Sequence, residues 1–159
     1  MALAASLTGC AGYQLGSMLP PDIKTVHIPT FVNRTSEPRI EFDTTQAAIQ
    51  EFQRDGSLKV AAADQADALL KVELVEYKIE PVAYTKEQRT KAREYRITMT
   101  ASILMTRRSD DSVVVESPRV RGEAVFPVAG DLSSSKLLGL PRAAEDLAHN
   151  IVEKVVEVW

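Results

Sequence analysis

Between Tyr95 and Thr106 the chain alternates almost without fault. Tyr95, Ile97, Met99, Ala101, Ile103 and Met105 fall on one side; Arg96, Thr98, Thr100, Ser102 and Thr106 fall on the other, with Leu104 alone out of pattern. Successive side chains of a strand point to opposite faces, so this segment predicts a long strand with one covered face and one wet face. Such one-sided burial is typical of antiparallel sheets, whereas strands of doubly covered parallel sheets read as continuous apolar runs. The rest of the chain must therefore supply neighbouring strands and a layer to cover the apolar side.

The neighbours are legible. Leu70, Val72 and Leu74 alternate with Lys71 and Glu73; the phase then flips, and Val75, Tyr77 and Ile79 alternate with Glu76, Lys78 and Glu80. A flip without a break predicts a β-bulge near Leu74 and Val75. Pro81 lies near the end of this strand. A turn at Ser109-Asp110-Asp111-Ser112 leads into a third strand from Val113 to Phe126. Pro118 inside it makes that strand an edge strand or a bulged one, because proline cannot donate to a ladder. Upstream, residues 23–28 read as a short strand stopped by Pro29, and Leu58 to Ala61 as another that pairs beside it.

Two helices complete the pattern. Thr35 or Ser36 is a suitable cap for the first, with Glu37 and Pro38 in its first turn. Phe42, Thr45, Ile49 and Phe52 share one helical face, and Asp55-Gly56 ends it. Residues 127–140, with Gly130, three serines and Gly139, read as a loop, and Pro141 as the start of the second helix. Its apolar stripe is Ala144, Leu147, Ala148, Ile151, Val155 and Val158. The order β-α-(β)-β-β-β-α predicts an α+β fold: a two-layer sandwich, two helices on one face of a four-stranded, mostly antiparallel or mixed sheet. A chain of 159 residues suits one such domain.

The N-terminus reads differently. Leu7-Thr8-Gly9-Cys10 matches the bacterial lipobox, in which small residues admit a signal peptidase and the cysteine is acylated, although no Lys or Arg precedes the apolar run. On this reading residues 1–9 are a signal-peptide remnant, residues 10–22 a lipidated linker with Gly12, Gly16, Pro20 and Pro21, and residues 23–159 the folded domain. Acyl chains on Cys10 hold a protein on a membrane without a spanning helix, at about 0.8 kcal/mol per buried CH₂. The apolar runs fall well short of the ~20 residues a spanning helix needs. Ala11 follows the cysteine; the absence of aspartate there favours the outer membrane.

Little in the sequence resembles catalytic machinery. A single cysteine excludes an internal disulfide and a cysteine-based zinc site. No nucleophile elbow, phosphate loop or paired-histidine zinc motif is present. No enzyme activity, cofactor or metal is expected. His27 and His149 read as solvated or lightly hydrogen-bonded imidazoles, and Asp64 with Asp67 as a charged turn before a strand. Asn33-Arg34-Thr35 matches a glycosylation sequon, which a bacterial lipoprotein does not use.

Charge placement is more informative. The chain carries a net charge of −3, which argues against a nucleic-acid partner. Yet residues 84–108 hold Lys86, Arg89, Lys91, Arg93, Arg96, Arg107 and Arg108 against only Glu87 and Glu94. Most of these cations lie at or just after the turn between two long strands. A basic hairpin tip suits phosphates or carboxylates; the same charges equally suit a solvated loop beside an edge strand.

The lipobox is followed by Gly12-Tyr13-Gln14-Leu15, by residues 19–29 (LPPDIKTVHIP), by Phe31-Val32-Asn33-Arg34-Thr35, by residues 51–56 (EFQRDG) and by residues 66–70 (ADALL). In this order they resemble the lipopolysaccharide-assembly lipoprotein family, LptE, and residues 94–100 resemble its central strand. The resemblance implies a non-enzymatic lipoprotein on the periplasmic side of the outer membrane. It implies a plug and assembly partner for the lipopolysaccharide-transport β-barrel, LptD, that also binds lipopolysaccharide. It places lipopolysaccharide contacts at Lys86 and Arg89, before the central strand, and at Lys136, before the last helix; Lys91 and Arg93 extend the same basic stretch.

Two other readings compete. Residues 23–35 also resemble the opening of CsgG-type secretion lipoproteins, which build pores, although this chain is short and has no obvious pair of barrel-forming hairpins. A small periplasmic binding module would instead require an apolar pocket between sheet and helices.

Overall fold

The computed structural model describes residues 19–84 and 92–157. The elements run β1 (Thr25–His27), β2 (Val32–Asn33), α1 (Ile40–Asp55), β3 (Lys59–Val60), β4 (Ala68–Tyr84), β5 (Ala92–Arg107), β6 (Val113–Pro127) and α2 (Leu132–Val156). The α+β class holds, but the sheet has six strands rather than the four expected. The difference lies at one edge. β1 and β2 both run parallel to β4, at Val26 opposite Ala68 and Val32 opposite Glu73. They lie end to end along β4, with Pro29 in the gap between them. The two-residue β3 then pairs in parallel with β1, as the short segment after the first helix predicts.

Strands β4, β5 and β6 form an antiparallel meander. The bulge falls where the phase flips: the β4–β5 register shifts between Leu74 and Glu76. Val75 is the extra residue and points out, so Leu70, Val72 and Leu74 before it, and Tyr77 and Ile79 after it, all reach the core side. Pro118 sits in a second bulge, between Ser117 and Val120, and β6 is an edge strand, so both readings of that proline apply. The wet face of β5 is drier than its alternation suggests. Thr100 is only 1% exposed, because the long charged side chains of β4 and β6 close over the threonines between them. Thr100 Oγ1 donates to Glu76 Oε2 at 3.2 Å within that cover.

Both helices cover the opposite face. Helix α1 starts later than its cap residues suggest, at Ile40, after Arg39 in the left-handed conformation with no side-chain cap. Its buried residues are Ile40, Thr44, Thr45, Ala48, Glu51 and Phe52, and Phe42, assigned to the core face from its spacing, is 59% exposed. Gly56 ends the helix at φ +77° and donates to the carbonyl of Phe52, as expected.

Helix α2 begins at Leu132, so the supposed loop before Pro141 is two turns of helix and Pro141 lies inside it. Asp131 caps it by accepting from the Ser134 amide at 2.8 Å, and Ser135 Oγ donates to the Asp131 carbonyl at 2.8 Å. Three serines, a glycine and a proline are poor helix formers, and packing overrides them. Gly139 lies against the ring of Phe126, where a Cβ would stand 2.5 Å from the ring. Farther along, a Cβ on Gly122 of β6 would stand 2.3 Å from the backbone nitrogen of Leu147.

This close approach seals the β6 edge. Asp146 accepts from the Glu123 amide at 2.8 Å, and Asn150 donates to the Arg121 carbonyl at 2.8 Å, so α2 side chains replace the missing neighbour strand. Leu147 and Ile151 are fully buried beneath, each contributing roughly 1.5–3 kcal/mol. Gly122→Ala should lower unfolding free energy in urea by about 3 kcal/mol, the upper end for overpacking, because a backbone atom blocks the new methyl. Gly56→Ala, with open space around it, should cost about 1 kcal/mol from its left-handed conformation alone. Equal losses would mean that the α2–β6 contact is not tight.

Candidate functional site

The basic stretch of the sequence does not form one site. Tyr84 of β4 is paired with Ala92 of β5, and Lys86, Arg89 and Lys91 fall between them, outside the described residues. Cys10 also lies outside them. Arg93 is exposed at the start of β5, where its carbonyl accepts from the Val128 amide at 2.9 Å. Arg107 lies about 45 Å away along β5, at ~3.3 Å per residue. There it pairs with Asp22 at 2.9 Å and donates to Ser112 Oγ at 3.1 Å, serving the fold rather than the hairpin end. Arg96, on the wet sheet face, pairs with Glu123 at 3.5 Å, and charges of both signs cover that face.

Lys136 is not a free cation. Its Nζ lies 2.6 Å from Glu37 Oε1, with both side chains mostly buried, so it ties α2 to the loop before α1. Asn33 organises the same loop: its Oδ1 accepts from the Thr35 amide at 2.9 Å, and its Nδ2 donates to the Glu37 carbonyl at 2.8 Å and to Glu41 Oε2 at 2.9 Å. The sequon is thus a loop staple. Behind the ion pair, burial pushes the Tyr77 phenol well above its ordinary pKa, and the Glu37 carboxylate adds to the shift. Its hydroxyl has no hydrogen-bond partner among the described residues.

Asp67, in the charged turn before β4, serves the fold as well. Asp67 accepts from the Thr25 hydroxyl at 2.7 Å and from the amides of Thr25 and Lys24 at 2.9 and 3.0 Å. These bonds, that of the Thr25 hydroxyl foremost, hold its carboxyl below the usual range. Asp64 and Asp67 do line a surface cleft of about 440 Å³, but with Asp22, Arg107 and Arg108, so its charges offset one another. His27 Nδ1 lies 3.2 Å from the Ala61 carbonyl. No cluster of three potential metal ligands occurs among the described residues.

Sequence reasoning missed an apolar surface. A second cleft of about 440 Å³ opens between the starts of α1 and α2, lined by Phe42, Leu137, Leu140 and Pro141, with Lys136 and Glu37 at its rim. Leu137 is 68% exposed, and Leu138 is similarly bare. Extending the helical pattern upstream past Pro141 was the signal that would have located this surface. It is a shallow feature of the outside, not a ligand cavity between the layers, where buried side chains fill the space. Clustered bare apolar side chains of this kind suit contact with another molecule.

His149 is the titrating contact between the helices. Its Nδ1 lies 3.1 Å from Glu51 Oε1, and this bond raises its pKa above the ordinary 6.5. The stabilisation is then fully present below about 6.5 and fades as pH rises through the raised value. His149→Gln should reduce urea stability slightly near pH 6, with the difference from wild type vanishing in mild alkali. A constant difference across pH would remove the ion pair from the account; exposure keeps the effect small.

Comparison with known proteins fits this picture. No curated protein matches the sequence. Several solved structures share the fold at low identity. A Xanthomonas campestris protein superposes with a TM-score of 0.61 at 10% identity, covering 87% of each chain. A minor lipoprotein from Acinetobacter baumannii gives 0.55 at 10%, over 84% of this chain and 93% of its own. PelC of Paraburkholderia phytofirmans, solved as a dodecamer, gives 0.52 at 14%, over 91% and 95%. The family model of LptE, described as lipopolysaccharide-assembly, matches residues 23–156, which span every element from β1 through α2, and the chain belongs to that family.

Proposed function

We propose that this protein is a non-enzymatic outer-membrane lipoprotein, acylated at Cys10 and facing the periplasm. In this reading it plugs and helps assemble the lipopolysaccharide-transport β-barrel, LptD, and binds lipopolysaccharide on its way to the outer leaflet. The family match over residues 23–156 carries the reading. Supporting it, the sheet presents a face with charges of both signs, which suits the polar lumen of a barrel. The bare side chains Phe42, Leu137 and Leu138 supply apolar contact for a protein partner.

Lipopolysaccharide phosphates are assigned to the basic end of the β4–β5 hairpin. Lys86, Arg89 and Lys91 belong to the segment joining the two strands, and Arg93 stands exposed beside it. Lys136 enters only if an anion displaces Glu37 from it, so its share in binding is smaller than that of the hairpin cations.

Two measurements test this. Lys86→Glu, Arg89→Glu and Lys91→Glu together should weaken lipopolysaccharide binding about tenfold or more in dilute salt, with the gap closing as salt screens the charges. Lys136→Ala alone should change it by less than about threefold, since its charge is already neutralised. Unchanged binding by the triple variant assigns the hairpin to solvation instead. Metabolic labelling with a palmitate analogue should mark wild type and not Cys10→Ser; equal labelling removes the anchor.

A further inference from the structure

The cleft between the starts of α1 and α2 holds groups that the fold does not use. Its walls are apolar, with Phe42 on α1 and Leu137, Leu140 and Pro141 on α2. Of the charged residues along it, Glu37 and Lys136 hold each other at 2.6 Å. Arg39 and Asp43 are left over. Both are exposed, they stand one helical turn apart, and neither has an ion-pair partner among the described residues.

Arg39 is also strained. It stands at φ 68° ahead of the first turn of α1, in the left-handed region that a non-glycine residue adopts only at a cost, and its side chain caps nothing. Glycine would hold the same turn at ease. The chain instead places a guanidinium there, at the rim of the cleft. The cleft lies at the same end of the molecule as the basic hairpin. Leu147 rests on Gly122 and Gly139 on Phe126, so the turns of α2 before Gly139 lead on toward Pro127, which is opposite Glu94 near the start of β5.

We propose that this cleft takes one acyl chain of a phosphorylated glycolipid, with Arg39 at a phosphate and Asp43 accepting from a sugar hydroxyl or amide. The proposal rests on the lipopolysaccharide reading above and adds a chain site to the phosphate site of the hairpin. The chemistry of the cleft selects this occupant. An inorganic anion leaves the apolar walls bare, and a plain hydrocarbon leaves Arg39 and Asp43 unused. A zwitterionic phospholipid suits both charges but brings one phosphate, with none to spare for the cationic hairpin end. An extended peptide needs an open ladder to bond, and both walls are helices. A further helix, about 10 Å across, is too wide for so shallow a cleft. A single chain lying along it suits about 440 Å³, near the lower end for ligand sites. Phe42 and Leu137 keep their outer faces for the protein partner, and the floor between them is what the chain covers.

Equilibrium binding tests this with the full chain in a fixed amount of neutral detergent and two ligands. One is lipopolysaccharide; the other is the same material after mild alkali has removed its ester-linked chains and left phosphates and sugars in place. Phe42→Ser with Leu137→Ser should weaken binding of the intact ligand about tenfold, because two large apolar contacts are lost. It should leave binding of the stripped ligand unchanged. Both side chains are exposed, so this variant should unfold in urea as wild type does. Arg39→Gly should weaken both ligands about fivefold and yet raise the urea midpoint, since glycine relieves the left-handed residue. A double variant that binds the intact ligand like wild type, or that loses both ligands equally, overturns the proposal. So does Arg39→Gly binding as wild type does, or displacement of the intact ligand by an equal amount of phosphatidylethanolamine. A wild type that binds neither ligand removes the lipopolysaccharide reading itself, and the chain site with it.

Discussion

Leu147 rests on β6 at the one place where Gly122 offers no side chain, and the other contacts of α2 follow from that approach. With the helix so close, Asp146 and Asn150 reach main-chain groups of β6 that no strand satisfies. Gly139 lets the upstream turns settle on Phe126 in the same way. A helix held at both points spans the antiparallel part of the sheet, and α1 then fills the space beside it. The edge bonds are individually modest, about 1 kcal/mol each. Their larger effect is to close one edge, so that the only long stretch of open ladder among the described residues is on β4.

The polar residues that first suggest chemistry mostly hold loops in place. Asp67 collects the amides at the start of β1, Asn33 folds the loop before α1, and the Lys136–Glu37 pair joins that loop to α2. A loop between buried elements must satisfy its own main chain, and short polar side chains do so at least entropic cost. Among the described residues, what remains for contact with other molecules lies outside these staples: the exposed Arg93, the charged sheet face, and the bare apolar side chains between the helix starts.

Several features were legible because they depend only on local geometry. The bulge at Leu74 shows as a phase flip, since strand side chains alternate strictly. Gly56 shows as a stop, since it adopts the left-handed conformation at little cost. The later turns of α2 show as an apolar stripe. The early turns did not, because serines, Gly139 and Pro141 argue locally against helix, and only contact with Phe126 and the cap at Asp131 outweigh them. The strand β2 was hidden for a related reason: a strand of two residues carries too few side chains to establish a period. Phe42 was misplaced because the buried stripe centres on Thr44, Ala48 and Glu51, whose partly polar sequence does not mark them as core, and Phe42 lies to one side of it.

The amino-acid pattern alone determined the meander, its bulges, the helical stripe beyond Pro141 and the concentration of cations between two long strands, all set by interactions within a few residues. Tertiary structure decided which cations of the described residues are held in ion pairs, which edge is sealed and which apolar side chains stay bare. Those outcomes depend on distances between segments far apart in the chain: the 2.6 Å contact that commits Lys136 to Glu37 links residues separated by 99 positions. No local pattern encodes that separation, because it exists only once the helices have packed on the sheet.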